Sequence, residues 1–276
     1  MTAGDRGQPR EDDTYCLILN LNAKRGGNMA LEIKQFILTK NPCYKANKKI
    51  TVKGLMLHSI GTPQPNAEVL LDSWNTSEKN VCVHAFIDGN TGAITQTLPW
   101  EHRAWHCGGT GNNTHIGVEM CEPSTIRYTG NGAEWVELAD GKNTREVVLR
   151  TYSAAVQLFA YLCEEFSLDP LKDGVIISHA EGRKRGIASN HGDIEHIWDK
   201  LGLTMDGFRE DVAKTMQGES FFTDIKGHWA EKDIIYLAEK GIVNGYGDNT
   251  FRPSQNITRA EVAKMIASLL KSIENK

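Results

Sequence analysis

At 276 residues the chain has room for one well-buried domain and a smaller second one. A composition of 40% hydrophobic and 24% charged residues suits a globular protein, and a net charge of -4 offers no basic surface for nucleic acid. No apolar run approaches the length needed to cross a bilayer, so membrane insertion is not expected.

Residues 1–28 are polar, Gly-rich and weakly patterned. They read as a disordered or non-native leader, because Lys24-Arg25-Gly26-Gly27-Asn28-Met29 is also what a translated purine-rich ribosome-binding site before a start codon would encode. The run from Tyr15 to Leu21 is too short for a secretory signal and follows acidic residues, so synthesis in the cytoplasm is expected. Six cysteines occur without any Cys-x-x-Cys pair. That spacing argues against a zinc knuckle and a disulfide framework, and predicts reduced, half-buried thiols.

Val52 to Leu57 reads as a buried strand, and Glu68 to Trp74 as a helix because Val69, Leu70 and Trp74 recur at helical spacing. Residues 81–87 and 93–98 form a predicted hairpin around the turn Asp88-Gly89-Asn90-Thr91-Gly92. Ile116 to Cys121 is a further strand. Asn143 with Glu146 three residues on predicts a capping box. Behind it, Val148, Tyr152, Ala155, Val156, Phe159, Cys163 and Phe166 hold helical spacing to about residue 167. A strand over 175–178 and a helix over 205–216 complete the set. Strands mixed with covering helices predict an α/β domain over 29–216, with a mixed central β-sheet flanked by helices. Residues 217–276 form a second, small α-helical unit, with Ile234, Ile235, Leu237 and Ala238 on one helix ended by Gly241. Thr258 caps another that carries Val262, Met265, Ile266, Leu269 and Leu270.

Three residues suited to one zinc ion close apolar or Gly-rich segments. His58 ends Gly-Leu-Met-Leu-His, His179 ends Gly-Val-Ile-Ile-Ser-His, and Asp193 ends Gly-Ile-Ala-Ser-Asn-His-Gly-Asp. A lone histidine is more often a satisfied structural residue. Two imidazoles with one carboxylate, however, leave a fourth zinc position open, as catalytic sites do. This pattern points to a metal-dependent hydrolase.

Six blocks in order carry a family resemblance over roughly 50–215: Leu57-His58, Val83-His84-Ala85-Phe86-Ile87-Asp88-Gly89, Ala104-Trp105-His106-Cys107-Gly108, Ile116-Gly117-Val118-Glu119, Ser178-His179 and His191-Gly192-Asp193. Together they resemble the type 2 N-acetylmuramoyl-L-alanine amidases, relatives of phage endolysins and of animal peptidoglycan-recognition proteins. The resemblance implies one Zn2+ per catalytic domain, held by His58, His179 and Asp193, with Glu119 as the catalytic carboxylate. It implies that His191 takes the place where the family often carries a carbonyl-polarising Lys. His191 is itself a good zinc ligand, and a swap with Asp193 stays open. Trp198, five residues after Asp193, matches the large apolar residue that follows the family's third ligand. His84, Trp105 and His106 are implied as substrate-cleft residues, although His84 and Trp105 also suit the core.

In the C-terminal part, Phe222-Thr223-Asp224, His228-Trp229-Ala230, Gly241 to Asp248, Thr250-Phe251-Arg252-Pro253 and Thr258-Arg259-Ala260-Glu261 resemble an S-layer homology module. That resemblance implies binding to secondary cell-wall polysaccharide, with Trp229, Asp248 and Arg259 as candidate contacts; Trp229 equally suits the module's core. Such modules usually occur in threes, so a single one implies either self-association, as a trimer, or packing on the catalytic domain. The combined expectation is a peptidoglycan hydrolase of phage or prophage endolysin type that reaches the Gram-positive wall on release. A host autolysin and a non-catalytic wall-binding protein are the alternatives.

Overall fold

The computed structural model describes residues 17–20, 31–130, 134–138, 143–217, 222–239, 242–246 and 250–274. In chain order the elements are β1 (Leu17–Asn20), β2 (Glu32–Gln35), α1 (Pro42–Lys45), β3 (Gly54–Ser59), α2 (Glu68–Trp74), β4 (Ala85–Ile87), β5 (Ile94–Gln96), β6 (His115–Met120), β7 (Ile126–Tyr128) and β8 (Trp135–Glu137). They continue with α3 (Thr144–Glu165), β9 (Ile176–Ser178), α4 (His179–Lys184), α5 (Glu195–Trp198), α6 (Met205–Met216), α7 (Glu231–Glu239) and α8 (Arg259–Glu274).

Seven strands form one mixed sheet in the order β1-β2-β5-β4-β6-β3-β9. Its inner part is parallel: β4 pairs with β6, β6 with β3, and β3 with β9. All six residues of β3 are buried, as a strand covered on both faces must be. Alternation then assigns each face. Leu55, Leu57, Ile116, Val118 and Ile176 join the large core beneath α3. Met56 and Ile177 point the other way and pack with Cys107, Ile187 and Ala188. His58 shares the face of Met56, two residues before it, so it stands on the side covered by loops.

The helical layer is locked by an aromatic cluster. Tyr152 of α3, Trp198 of α5 and Phe208 of α6 lie with ring centroids 5.0–5.5 Å apart. The Tyr152 hydroxyl donates to Asp211 Oδ2 at 2.8 Å, which satisfies a carboxylate buried under the same layer.

The expected α/β class and the helices at 68–74 and 205–216 are observed as read. Three expectations change. First, α3 begins at Thr144, but Asn143 makes no side-chain cap bond and Glu146 instead pairs with Lys264 of α8. A complete capping box forms at α4, where Ser178 and Glu181 exchange hydrogen bonds. Second, Cys43 and Cys82 form a disulfide, contrary to the expectation of reduced thiols, and Cys107, Cys121 and Cys163 are free and buried. The bridge joins residues 39 apart, worth about 4 kcal/mol by loop entropy. Spacing could not reveal it, because the two meet through the non-local packing of α1 against Leu98 and Ala104. Third, the hairpin strands are shorter than read, 85–87 and 94–96.

Of the expected leader, only Leu17–Asn20 are described, as a strand antiparallel to β2; the rest, like Gly241, lies outside the described residues. In the C-terminal unit Phe222, Ile225 and Ile234 make a small core, with Phe251 packed against it. Asp224 accepts the backbone N–H groups of Phe251 and Arg252 at 2.8 and 2.7 Å. Thr258 caps α8 as expected, accepting from the Glu261 N–H at 3.2 Å. No helix among the described residues is long and apolar enough to cross a membrane.

Trp198 is 1% exposed and touches both Tyr152 and Phe208, so truncation leaves a large cavity. Trp198→Ala is expected to lose about 3–5 kcal/mol of stability, read as a lower urea midpoint. A loss below about 1 kcal/mol would mean that the cluster does not lock the layer.

Candidate metal and catalytic site

Parallel strands deliver their C-terminal ends to one edge of the sheet, and crevices at that edge are where α/β folds bind ligands. His58 and Glu119 are register partners near the ends of β3 and β6. His179 follows β9 directly as the first residue of α4. The Ser178–Glu181 box sets that start, and Arg209 holds Glu181 with two hydrogen bonds of 3.0 and 3.1 Å.

Asp193 arrives from the loop after α4. His58 Nδ1 lies 3.0 Å from His179 Nδ1 and 3.2 Å from Asp193 Oδ2, and His179 Nδ1 lies 3.6 Å from Asp193 Oδ1. One donor atom from each of the three falls within 4.8 Å of the others. Burial pushes the His179 pKa down to about 4, helped by the adjacent His58. Burial works against ionisation of Asp193, but its contacts with His58 and His179 outweigh it and hold the carboxyl below its usual range. Two imidazoles and a carboxylate aimed at one point are a donor set that could hold a cation between them. Their chemistry fits zinc.

His191 stands beside this group rather than in it. Its ring centroid is 4.9 Å from that of His179, and Ser189 Oγ bridges the two, 3.3 Å from His179 Nε2 and 3.0 Å from His191 Nδ1. Ser189 escaped the sequence reading, although it lies in the same loop segment as Asp193; no local pattern marks a hydroxyl as a bridge between rings.

Glu119 Oε2 is buried and, among the described residues, has no hydrogen-bond partner. Burial, reinforced by the charges of Asp193 and Glu122, pushes its pKa well above the carboxylate range. Such a group keeps its proton to higher pH than a solvated carboxyl does, as suits a general acid–base residue. Behind it is a second buried carboxylate that sequence reasoning missed. Glu122 accepts from Gly61 N–H at 2.9 Å and from the Tyr128 hydroxyl at 2.7 Å, and burial raises its pKa to about 7.

Two expected cleft residues have other duties. His84 is fully buried. Its Nδ1 accepts from Gly117 N–H at 3.0 Å and its Nε2 donates to the His102 carbonyl at 2.8 Å, so neither nitrogen is left for a substrate. Burial takes its pKa down to about 4, which keeps it neutral. His106 is likewise engaged on both sides, 2.8 Å from His58 Nε2 and 3.1 Å from the His115 carbonyl. Both corrections have one cause: a histidine's partners come from strands that chain spacing does not reveal. Trp105 is 41% exposed beneath the Arg103 guanidinium, which leaves it open to solvent. In the C-terminal unit Trp229 is 89% exposed and therefore does not plug the core. Arg259 is exposed at the start of α8, and Asp248 lies outside the described residues.

The sequence model of the N-acetylmuramoyl-L-alanine amidase family matches residues 48–194, more than half of the chain, and that of the S-layer homology domain matches 221–263. Among solved structures, the Staphylococcus aureus hydrolase AmiA, determined with its ligand, shares the fold. The TM-score is 0.51 at 17% identity, covering 67% of this chain and 82% of that one. Among curated proteins, a cellulosome-anchoring protein of Acetivibrio thermocellus is 47% identical over 62 residues. The S-layer protein EA1 of Bacillus anthracis is 42% identical over 53 residues. These stretches are 21% and 19% of this chain, and the chain spans only 14% and 6% of those proteins.

Because Glu119 keeps its proton to higher pH in the folded state than in the unfolded chain, the metal-free protein loses stability as pH rises between the two values. Glu119→Gln, which mimics the protonated acid, is expected to stabilise the metal-free protein by on the order of 1–3 kcal/mol near pH 8 and by little near pH 4. Urea unfolding at both pH values measures this, and an equal effect at both would refute the raised pKa.

Proposed function

Since the chain belongs to the N-acetylmuramoyl-L-alanine amidase family and carries an S-layer homology domain, we propose that it is a wall-tethered peptidoglycan hydrolase. It cuts the amide between the lactyl group of N-acetylmuramic acid and L-alanine. The observation that carries this reading is the convergence of His58, His179 and Asp193, with the buried Glu119 Oε2 that has no hydrogen-bond partner among the described residues.

His58, His179 and Asp193 would hold zinc, which supplies Lewis-acid activation of water and of the scissile carbonyl. Glu119 takes the proton of the attacking water and passes it to the alanine nitrogen as the C–N bond breaks. Its raised pKa favours the proton-accepting half of that transfer. His191, exposed beside His179, donates to the oxyanion that develops on the carbonyl, a contribution that counts most in a preorganised site. Trp105 offers an exposed aromatic face to the glycan or stem peptide.

The S-layer homology domain holds the enzyme on secondary cell-wall polysaccharide. Trp229 stacks on sugar, and Arg259 meets an acidic substituent at the N-terminus of α8, where the helix dipole adds to its donors' pull. The proposed setting is a phage or prophage endolysin, made in the cytoplasm and reaching a Gram-positive wall on release. Self-association through the C-terminal unit is part of the same proposal.

Purified protein with peptidoglycan is expected to release new alanine amino termini, and new reducing ends would sink the amidase reading. Glu119→Ala is expected to lower the rate by about 10²–10⁴-fold while zinc content is unchanged. Asp193→Ala is expected to lose zinc, whereas His191→Ala keeps zinc and loses rate; the reverse pattern would exchange their roles. Trp229→Ala is expected to weaken sedimentation with wall polysaccharide without changing cleavage of soluble muropeptide. Lysis on expression in the cytoplasm that needs a co-expressed membrane-permeabilising protein would fit the endolysin setting.

A further inference from the structure

We propose that His106 is a positioning residue that sets His58 in its metal-binding tautomer; this rests on the zinc reading above. The chain of reasoning starts at a backbone carbonyl, which can only accept. The His115 carbonyl lies 3.1 Å from His106 Nε2, so that nitrogen carries the proton. His106 packs edge-on against the His58 and His84 rings, and an imidazole with its one ring proton on Nε2 has a bare Nδ1 that accepts. The group 2.8 Å away, His58 Nε2, must therefore be an N–H donor. A neutral His58 that is protonated at Nε2 has its lone pair on Nδ1, the atom that faces His179 and Asp193. One carbonyl thus determines, through two rings, which nitrogen of His58 is free to bind a cation. Partners of this kind orient metal-binding histidines and raise their basicity.

The surroundings are built to hold that ring. Its backbone is fixed by Asn112 Oδ1, which accepts from the His106 and Cys107 N–H groups at 2.8 and 3.1 Å. Its floor is Gly117, where a Cβ would fall 2.4 Å from His106 Cγ. A side chain at 117 would have to displace the ring. Both nitrogens being engaged, His106 has no donor to offer a substrate, which separates this role from a cleft contact.

The test pairs zinc affinity with imidazole NMR. His106→Asn keeps an acceptor near the Nδ1 position, and is expected to bind zinc within about 3-fold of the parent. His106→Leu removes the acceptor, and is expected to weaken zinc by about 10–100-fold in chelator competition. In the parent protein, long-range nitrogen–proton correlations are expected to show His106 protonated at Nε2 alone. This readout does not depend on any variant folding. A proton on His106 Nδ1, or His106→Leu binding zinc as tightly as a parent that does bind it, would overturn the proposal while leaving the zinc reading intact. A parent protein that binds no zinc would overturn both.

Discussion

The parallel pairing of β3 with β6 on one side and β9 on the other is the constraint from which the site follows. It brings His58 opposite Glu119 in register and places His179 one residue beyond the third strand. Because side chains alternate, a slip of one residue in β3 would turn His58 into the core under α3 and expose Leu57 to the site. The hydrophobic layer therefore sets the register of the chemistry. Leu55 and Leu57 can be buried under α3 only if Met56 and His58 face the loops. The aromatic cluster of Tyr152, Trp198 and Phe208 holds that layer closed from the helical side.

On the loop side the same edge is lined by groups that disagree electrostatically. Asp193 is held ionised beside two imidazoles, whereas Glu119 is pushed towards its neutral form by burial and the charges of Asp193 and Glu122, and Glu122 by burial and the charge of Asp193. Carboxyls with opposed tendencies a short distance apart can take different roles in one site. Burial of three neutral histidines, His84, His106 and His179, avoids adding positive charge that would oppose a cation. The two loops that close over the site also brace each other, since Gly111 and Ser189 donate backbone N–H groups to Ile187 and Cys107 at 2.9 and 2.8 Å.

Much of this was legible in the chain. The helical spacing from Val148 to Cys163 and the apolar run before His58 are local signals, and both elements form within two residues of where they were read. The grouping of His58, His179 and Asp193 was legible because each closes a segment whose pattern stands out. What misled was also local. Asn143 and Glu146 have the spacing of a capping box, yet Glu146 finds Lys264 from a remote helix. Cys43 and Cys82 lack any recognisable spacing, yet they meet in a small cluster with Leu98, Ala104 and Tyr44.

The amino-acid sequence by itself determined the layers, the family and the chemical kinds of the site residues. The layers and the residue kinds rest on periodicity and residue type, which act over a few positions, and the family on the resemblance of the ordered blocks from Leu57 to Asp193. Only the tertiary structure decided which nitrogen or oxygen meets which partner. It set His191 beside the donor group and Asp193 within it, turned His84 and His106 from cleft contacts into internal struts, and left Trp229 in solvent. The physical reason is that a hydrogen bond depends on atoms about 3 Å apart. The partners of His58 lie 48, 121 and 135 residues away along the chain.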